Sequence, residues 1–257
     1  FLSGPDQVFA IQSEKPAVVQ VLYRGSPEDP KDEVTPGSLS WTTHAPSDLG
    51  DNETPEGERR RRLAEWLVHP DNPLTRRVIV NRLWHHHFGQ GLVLTPSDFG
   101  GGGGKPSHPE LLDYLADELL QNNWSLKAIH RLVVTSAAYR QRSVMNPKAA
   151  RLDSGNRLLW RQNPRRLDAE AIRDSVLSVT GKLNPERGGP GFRDFEYKVA
   201  YAPIYTYVTP DKPELWKRSI YRFIVRTTPH KFLTTLDCPD PASLTPVRNR
   251  TTTPLQS

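Results

Sequence analysis

Three consecutive histidines, His85-His86-His87, stand in a stretch that also holds Arg76, Arg77, Asn81, Arg82 and Trp84, with Asp98 and His108 following. Imidazole titrates near neutrality and serves as acid, base or metal ligand. Guanidinium groups bind oxyanions through paired hydrogen bonds. His85, His86, His87, Asp98 and His108 are therefore the candidate catalytic groups. Asn81, Arg82, Trp84, Arg76 and Arg77 are the candidate binding groups, a cationic face suited to carboxylates, sulfates or a haem propionate.

Spacing limits what the triplet can do. Neighbours on a helix are about 100° apart, so three in a row fan out and cannot converge on one ion. Helical metal pairs sit three or four residues apart, and the residues four back from the triplet are Asn81, Arg82 and Leu83. A metal would need one histidine plus distant ligands such as Asp98, His108 or His130, and no metal site is assigned. The adopted reading is structural, with one ring buried and hydrogen-bonded and another at the surface. Residues 100–105, GGGGGK, resemble a phosphate loop, but Phe99 and Pro106 occupy positions where that template needs glycine and a hydroxyl residue. For the arginines the plainer reading is pairing with acids such as Asp98, Asp168, Glu170 or Asp174. Glu110, Asp113 and Asp117 fall on the polar face of one helix and read as solvated. Trp84, Trp124, Trp160 and Trp216 read as core rather than sugar-stacking surfaces. No nucleophile elbow and no zinc-protease signature occurs.

The elements that must position these groups follow from period and punctuation. Residues 17–23 read as a buried strand, and a proline- and acid-rich linker reaches residue 58. From Arg59 a helical stripe includes Leu63, Trp66 and Leu67. Asn72-Pro73 starts a helix that runs to Phe88 and stops at Gly89 or Gly91. Residues 92–94 are a short extended piece. Ser107-His108-Pro109-Glu110 reads as a capping box. Ser125 and Asp168 cap two further helices, the latter stopped by Gly181. Residues 201–208 and 219–225 read as strands.

The chain has 257 residues, 36% hydrophobic and 25% charged, with a net charge of +5. It is long enough for a real core, and its 24 prolines, about twice the usual share, imply long ordered connections. No run approaches the ~20 apolar residues of a membrane span. The positive charge is interspersed with acids, so nucleic acid is not an expected partner. Cys238 is the only cysteine, which excludes an intrachain disulfide, a cysteine zinc cluster and a covalent haem motif; it reads as inert. Starting at Phe1 with no signal-peptide pattern, and ending in RTTTPLQS, the chain reads as a piece of something longer.

The runs RRRLAEWLVHPDNPLTRRVIVNRLWHHHFGQGLV, TPSDFG, PSHPELLDYLA, NNWSLKAIHRLVVTSAAYRQ, NPRRLDAEAIRDSVL, KRSIYRFIVRTTPHKFLTTLDCPDP and RNRTTTPLQ resemble a planctomycete family. It is the domain of unknown function found beside cytochrome-c-like modules in large secreted proteins, the planctomycete cytochrome C-associated C-terminal domain. The resemblance covers residues 59–257. It implies a periplasmic, envelope or secreted setting, with the other domains or subunits of a cytochrome-like parent protein as partners. It implies no cofactor in this chain, any haem lying on companion modules.

Together these readings give an α+β, predominantly α-helical fold. A strand-containing lead-in and linker (1–58) precedes a core of four to five helices (59–187), and a strand-bearing tail (188–257) packs on that core. The expected function is a non-catalytic structural or interaction module. The alternative is a hydrolase or redox enzyme acting on complex carbohydrate, with a His/Arg/Asp pocket around residues 81–108. A simple polyanion-, small-molecule- or glycan-binding role is the third option.

Overall fold

The computed structural model describes residues 12–40 and 45–256; the readings attached to Phe1 and Ser257 lie outside them. The fold is mixed α+β with a helical core, about 34% helix and 10% strand. It divides into two compact units, one up to Gln162 and one from Asn163.

In the first unit, β1 (Val19–Leu22) pairs antiparallel with β2 (Pro30–Val34), Val19 opposite Val34. Every residue of both strands is exposed, so the strand read as buried is half of an open hairpin. An apolar run signals burial only where another surface covers it, and the sequence does not carry that surface's position.

α1 (Glu56–Val68) starts three residues before the expected Arg59. Glu56 and Glu58 in its first turn favour the positive end of the helix dipole, and pairs such as Arg62–Glu58 brace its surface. α2 (Pro73–Phe88) begins where the sequence places it. Asn72 is buried; its Oδ1 accepts from the Leu74 N–H at 3.1 Å, and its Nδ2 donates to the Trp66 carbonyl at 3.1 Å. Gly89 closes α2 at φ +83°, a conformation a side chain would strain.

α3 (Pro109–Gln121) starts with His108, not Ser107, as its cap, and no side chain serves the cap. Pro109 occupies the first helical position, which moves Glu110 one place too early to complete a capping box. α4 (Leu126–Thr135) is capped by Ser125 as expected. A helix absent from the sequence reading, α5 (Pro147–Leu152), is capped by Asn146.

The core of this unit joins Val80, Trp84 and Phe88 of α2 to Leu112, Leu115 and Leu119 of α3 and Ile129 and Val133 of α4. Trp84 stacks on Phe88 with centroids 4.2 Å apart. Full burial of each such side chain is worth roughly 1.5–3 kcal/mol.

The second unit contains α6 (Ala169–Val179), β3 (Phe195–Lys198), β4 (Ile204–Tyr207) and the short α7 (Lys231–Thr235). The unit boundary at 162/163 groups α6 with the tail rather than with the helices before it. β3 and β4 form an antiparallel hairpin, Phe195 opposite Tyr207, so the strand in residues 201–208 is real but shorter. Residues 219–225 form no strand: Ser219–Tyr221 is a single 3-10 turn, followed by one bridge from Phe192 to Arg222. The alternation there is inverted in part, because the Arg222 side chain is buried against Asp194 while Phe223 is exposed. Among the described residues, no helix is long and apolar enough to cross a membrane.

Candidate functional site

α2 carries most of the candidate groups, and its bonds show what each does. Arg76 Nη1 bonds Asp117 at 3.0 Å and Arg77 Nε bonds Asp113 at 2.6 Å. Both acids lie on α3, on a face that remains solvent-exposed, with Asp117 61% and Asp113 49% exposed, while also bonding the α2 arginines. Asp98, Asp168, Glu170 and Asp174 are not their partners.

Asn81 is fully buried. Its Nδ2 donates to the Val93 carbonyl at 3.0 Å, and its Oδ1 accepts from the Val93 N–H at 2.8 Å. One side-chain amide thus takes the place of a neighbouring strand, which is why residues 92–94 need no ladder. The approach is close: a Cβ at Gly91 would lie 2.8 Å from the Asn81 amide atoms and 2.5 Å from the Val93 carbonyl oxygen. Arg157 adds bonds to the Gly91 and Leu92 carbonyls, each at 3.2 Å. Trp84 is core and Arg82 is exposed.

The histidine triplet fans out as helical geometry requires. His85 and His86 meet edge to face at 5.7 Å. His87 points elsewhere: its Nε2 lies 2.8 Å from Nδ1 of His130 on α4, with Tyr139 edge-on at 5.5 Å. One ring of that pair must donate and the other accept. Among the described residues no group of three or more His, Cys, Asp or Glu side chains is placed to hold a metal.

Asp98 organises a turn. Its Oδ1 accepts from the Gly100 N–H at 2.9 Å, and its carbonyl accepts from the Thr95 hydroxyl at 2.7 Å. The glycine run wraps this turn so tightly that a Cβ at Gly103 would sit 2.2 Å from the Asp98 carbonyl oxygen. His108 Nδ1 lies 3.0 Å from the Ser107 hydroxyl. The structure therefore joins Arg76 and Arg77 to α3, His87 to α4 and Asn81 to the following loop. Asp98 and His108 each serve local turns.

A second assembly of polar groups, which sequence reasoning missed, lies in the unit from Asn163 onward. A cavity of about 490 Å³ is bounded by α6, the 218–225 segment, α7 and Arg248. Arg222 Nε donates to Asp194 Oδ2 at 2.8 Å. His230 caps α7: its Nδ1 accepts from the Leu233 N–H at 3.3 Å, and its Nε2 lies 3.5 Å from the same Asp194 oxygen. Glu170 takes both arms of the Arg248 guanidinium, at 2.6 and 2.9 Å. Asp174 accepts from the Ser219 N–H and hydroxyl at 2.8 and 2.7 Å.

The electrostatics follow from burial and pairing. Burial disfavours the charge on His230 and the nearby Arg222 cation adds to this; Asp194 opposes them only in part, so the imidazole pKa falls below its ordinary 6.5. Burial opposes the Arg222 charge most strongly, but the bond and attraction of Asp194, together with Tyr207, outweigh it and raise its pKa. Burial, helped by the Glu170 carboxylate, pushes the Cys238 thiol up to about 11, so it is a poor thiolate near neutrality. The sequence signal for this assembly was the mixed run KRSIYRFIVRTTPHKF, in which Arg222 sits among apolar residues and His230 stands before a helix.

A family model described as PSD1, protein of unknown function (DUF1553), matches residues 59–257. No curated protein and no solved structure matches the chain.

Proposed function

The chain belongs to this family of unknown function, DUF1553, and from that premise we propose that it is a non-catalytic interaction module of a larger envelope or secreted protein. Its partners in this reading are the c-type cytochrome modules of the same parent protein, which carry any haem. The observation that carries the reading is the β1–β2 hairpin. Val19, Val21 and Leu22 of β1 and Val34 of β2 are all exposed, flanked by exposed Val18 and Tyr23. A two-stranded hairpin is marginal alone, and apolar side chains left uncovered on it support a docking face. The polar groups around residues 81–108 support the same reading, because Asn81 bonds Val93, His87 the His130 ring, Asp98 its own turn and His108 the Ser107 hydroxyl. The enzyme alternative needs them free around one substrate.

The test expresses the chain and the cytochrome-like module of its parent protein separately and measures their association by analytical ultracentrifugation. Replacing Val19 and Val21 together by aspartate should weaken that association at least about tenfold, since two buried valines are worth more than one decade of affinity. Absence of association by the unaltered chain overturns the reading.

A further inference from the structure

Of the cations that line the cavity of the second unit, one has no acid in hydrogen-bond range. Arg248 holds Glu170 with both arms of its guanidinium and is attracted by Asp168 as well. Arg222 is committed to Asp194. Asp174 accepts from the Ser219 N–H and hydroxyl, with Arg173 3.5 Å away. That leaves Arg218, which lines the same cavity. Its ion-pair contact with Asp174 is 3.9 Å from Nε, too long for a hydrogen bond. Its two Nη groups make no hydrogen bond among the described residues, and the side chain is 51% exposed, so both are open to an entering molecule. A guanidinium with free N–H arms matches a carboxylate, which it bonds bidentately. The acids of the wall already have cationic or N–H partners, so the charge an entering carboxylate meets unopposed is that of Arg218. Much of the remaining wall is apolar, from Ile220, Val225, Pro229, Leu233 and Pro239. The volume of about 490 Å³ falls in the range of small-ligand pockets, which combine apolar walls with a few placed polar groups.

We propose that this cavity binds a small carboxylate with an aliphatic body. The carboxylate accepts from the free arms of Arg218, and the body packs on the aliphatic wall. The site lies wholly within the second unit and owes nothing to the docking hairpin of the first.

Cys238 gives a direct readout, because the only cysteine of the chain lines the cavity and is half-buried. The rate at which iodoacetamide alkylates it in the folded full chain is measured at fixed ionic strength with increasing 4-methylpentanoate, 4-methylpentanamide or acetate. The amide keeps the body and lacks the charge; acetate keeps the charge and lacks the body. 4-Methylpentanoate should protect Cys238 saturably and at lower concentration than either. Arg218→Gln should raise the half-protecting concentration of 4-methylpentanoate at least about tenfold, the effect of losing one hydrogen bond between charged groups. Arg218 is half exposed and makes no hydrogen bond within the fold, so this variant keeps the native structure, which circular dichroism checks. Equal or stronger protection by the amide or by acetate, no saturable protection by 4-methylpentanoate, or an unchanged half-protecting concentration in Arg218→Gln overturns the proposal.

Discussion

His230 meets two obligations that only a neutral imidazole can satisfy together. Its Nδ1 must be unprotonated to accept the Leu233 N–H that starts α7, which leaves the Nε2 proton facing Asp194. Burial first, and Arg222 second, lower its pKa below the ordinary 6.5. The folded-state pKa thus lies under the unfolded one, so the unfolded chain takes up the proton first as pH falls. Stability from this group is complete above 6.5 and declines as pH drops below that value. His230→Asn keeps a side chain able to cap α7 but cannot titrate. Denaturant unfolding between about pH 7 and about pH 5, the histidine range, should show a shallower loss of stability for the variant. An unchanged slope would exclude His230 as its source.

Among the elements, α2 and the loop after it are joined by one side chain. Asn81 accepts from the backbone N–H of buried Val93 and donates to its carbonyl. Asn81→Ala leaves a buried donor and acceptor orphaned and opens a small void; the expected loss is about 2–4 kcal/mol, read from the urea midpoint at constant m-value. The ends of α2 were legible in the sequence because Asn72-Pro73 and Gly89 act through local backbone chemistry. The role of Asn81 was not, because its partner lies across a turn that no local rule defines. The same division separates Ser125, a cap readable from its own helix, from Ser107, displaced when Pro109 took the first helical position. In residues 219–225 period-two alternation suggested a strand; burial of Arg222 against Asp194 overrode it. The pairing of Arg76 and Arg77 with Asp117 and Asp113 was equally hidden, since a solvent-exposed acid on one helix does not reveal which arginine of another helix it meets. The general level of the fold, a helical core with strand-bearing flanks, depended on apolar periodicity and was legible.

Across the whole molecule, the two units are held by different forces. The first has a continuous apolar core built from α2, α3 and α4, which does not respond to protonation of carboxylates. The second depends on acids held ionised by their partners. The Thr251 backbone N–H and hydroxyl, with Arg166, hold Asp237 down to about 2 from 3.8. Burial pushes the Glu170 pKa up, but Arg248, the backbone N–H of Glu170 and the Cys238 thiol together hold it below 4.5. Both folded pKa values lie below the unfolded ones, so this stability is present above those ordinary values and is lost as pH falls through the folded values. In the first unit the comparable pairs lie on α1, where Arg61 and Arg62 hold Glu58 down to about 2, outside the α2–α3–α4 core. The pairs that join α2 to α3 use Asp113 and Asp117, which are about half exposed or more and contribute little. Acidification from the ordinary carboxylate range toward pH 2 should therefore loosen residues 163–257 before the apolar core formed by α2, α3 and α4. Amide hydrogen exchange read by segment resolves this directly, because opening of one unit is reported separately from opening of the other. The amides of α6 and α7 should lose protection at a higher pH than those of α3, and a single simultaneous loss along the chain would show that the ion pairs do not set the acid limit of the second unit.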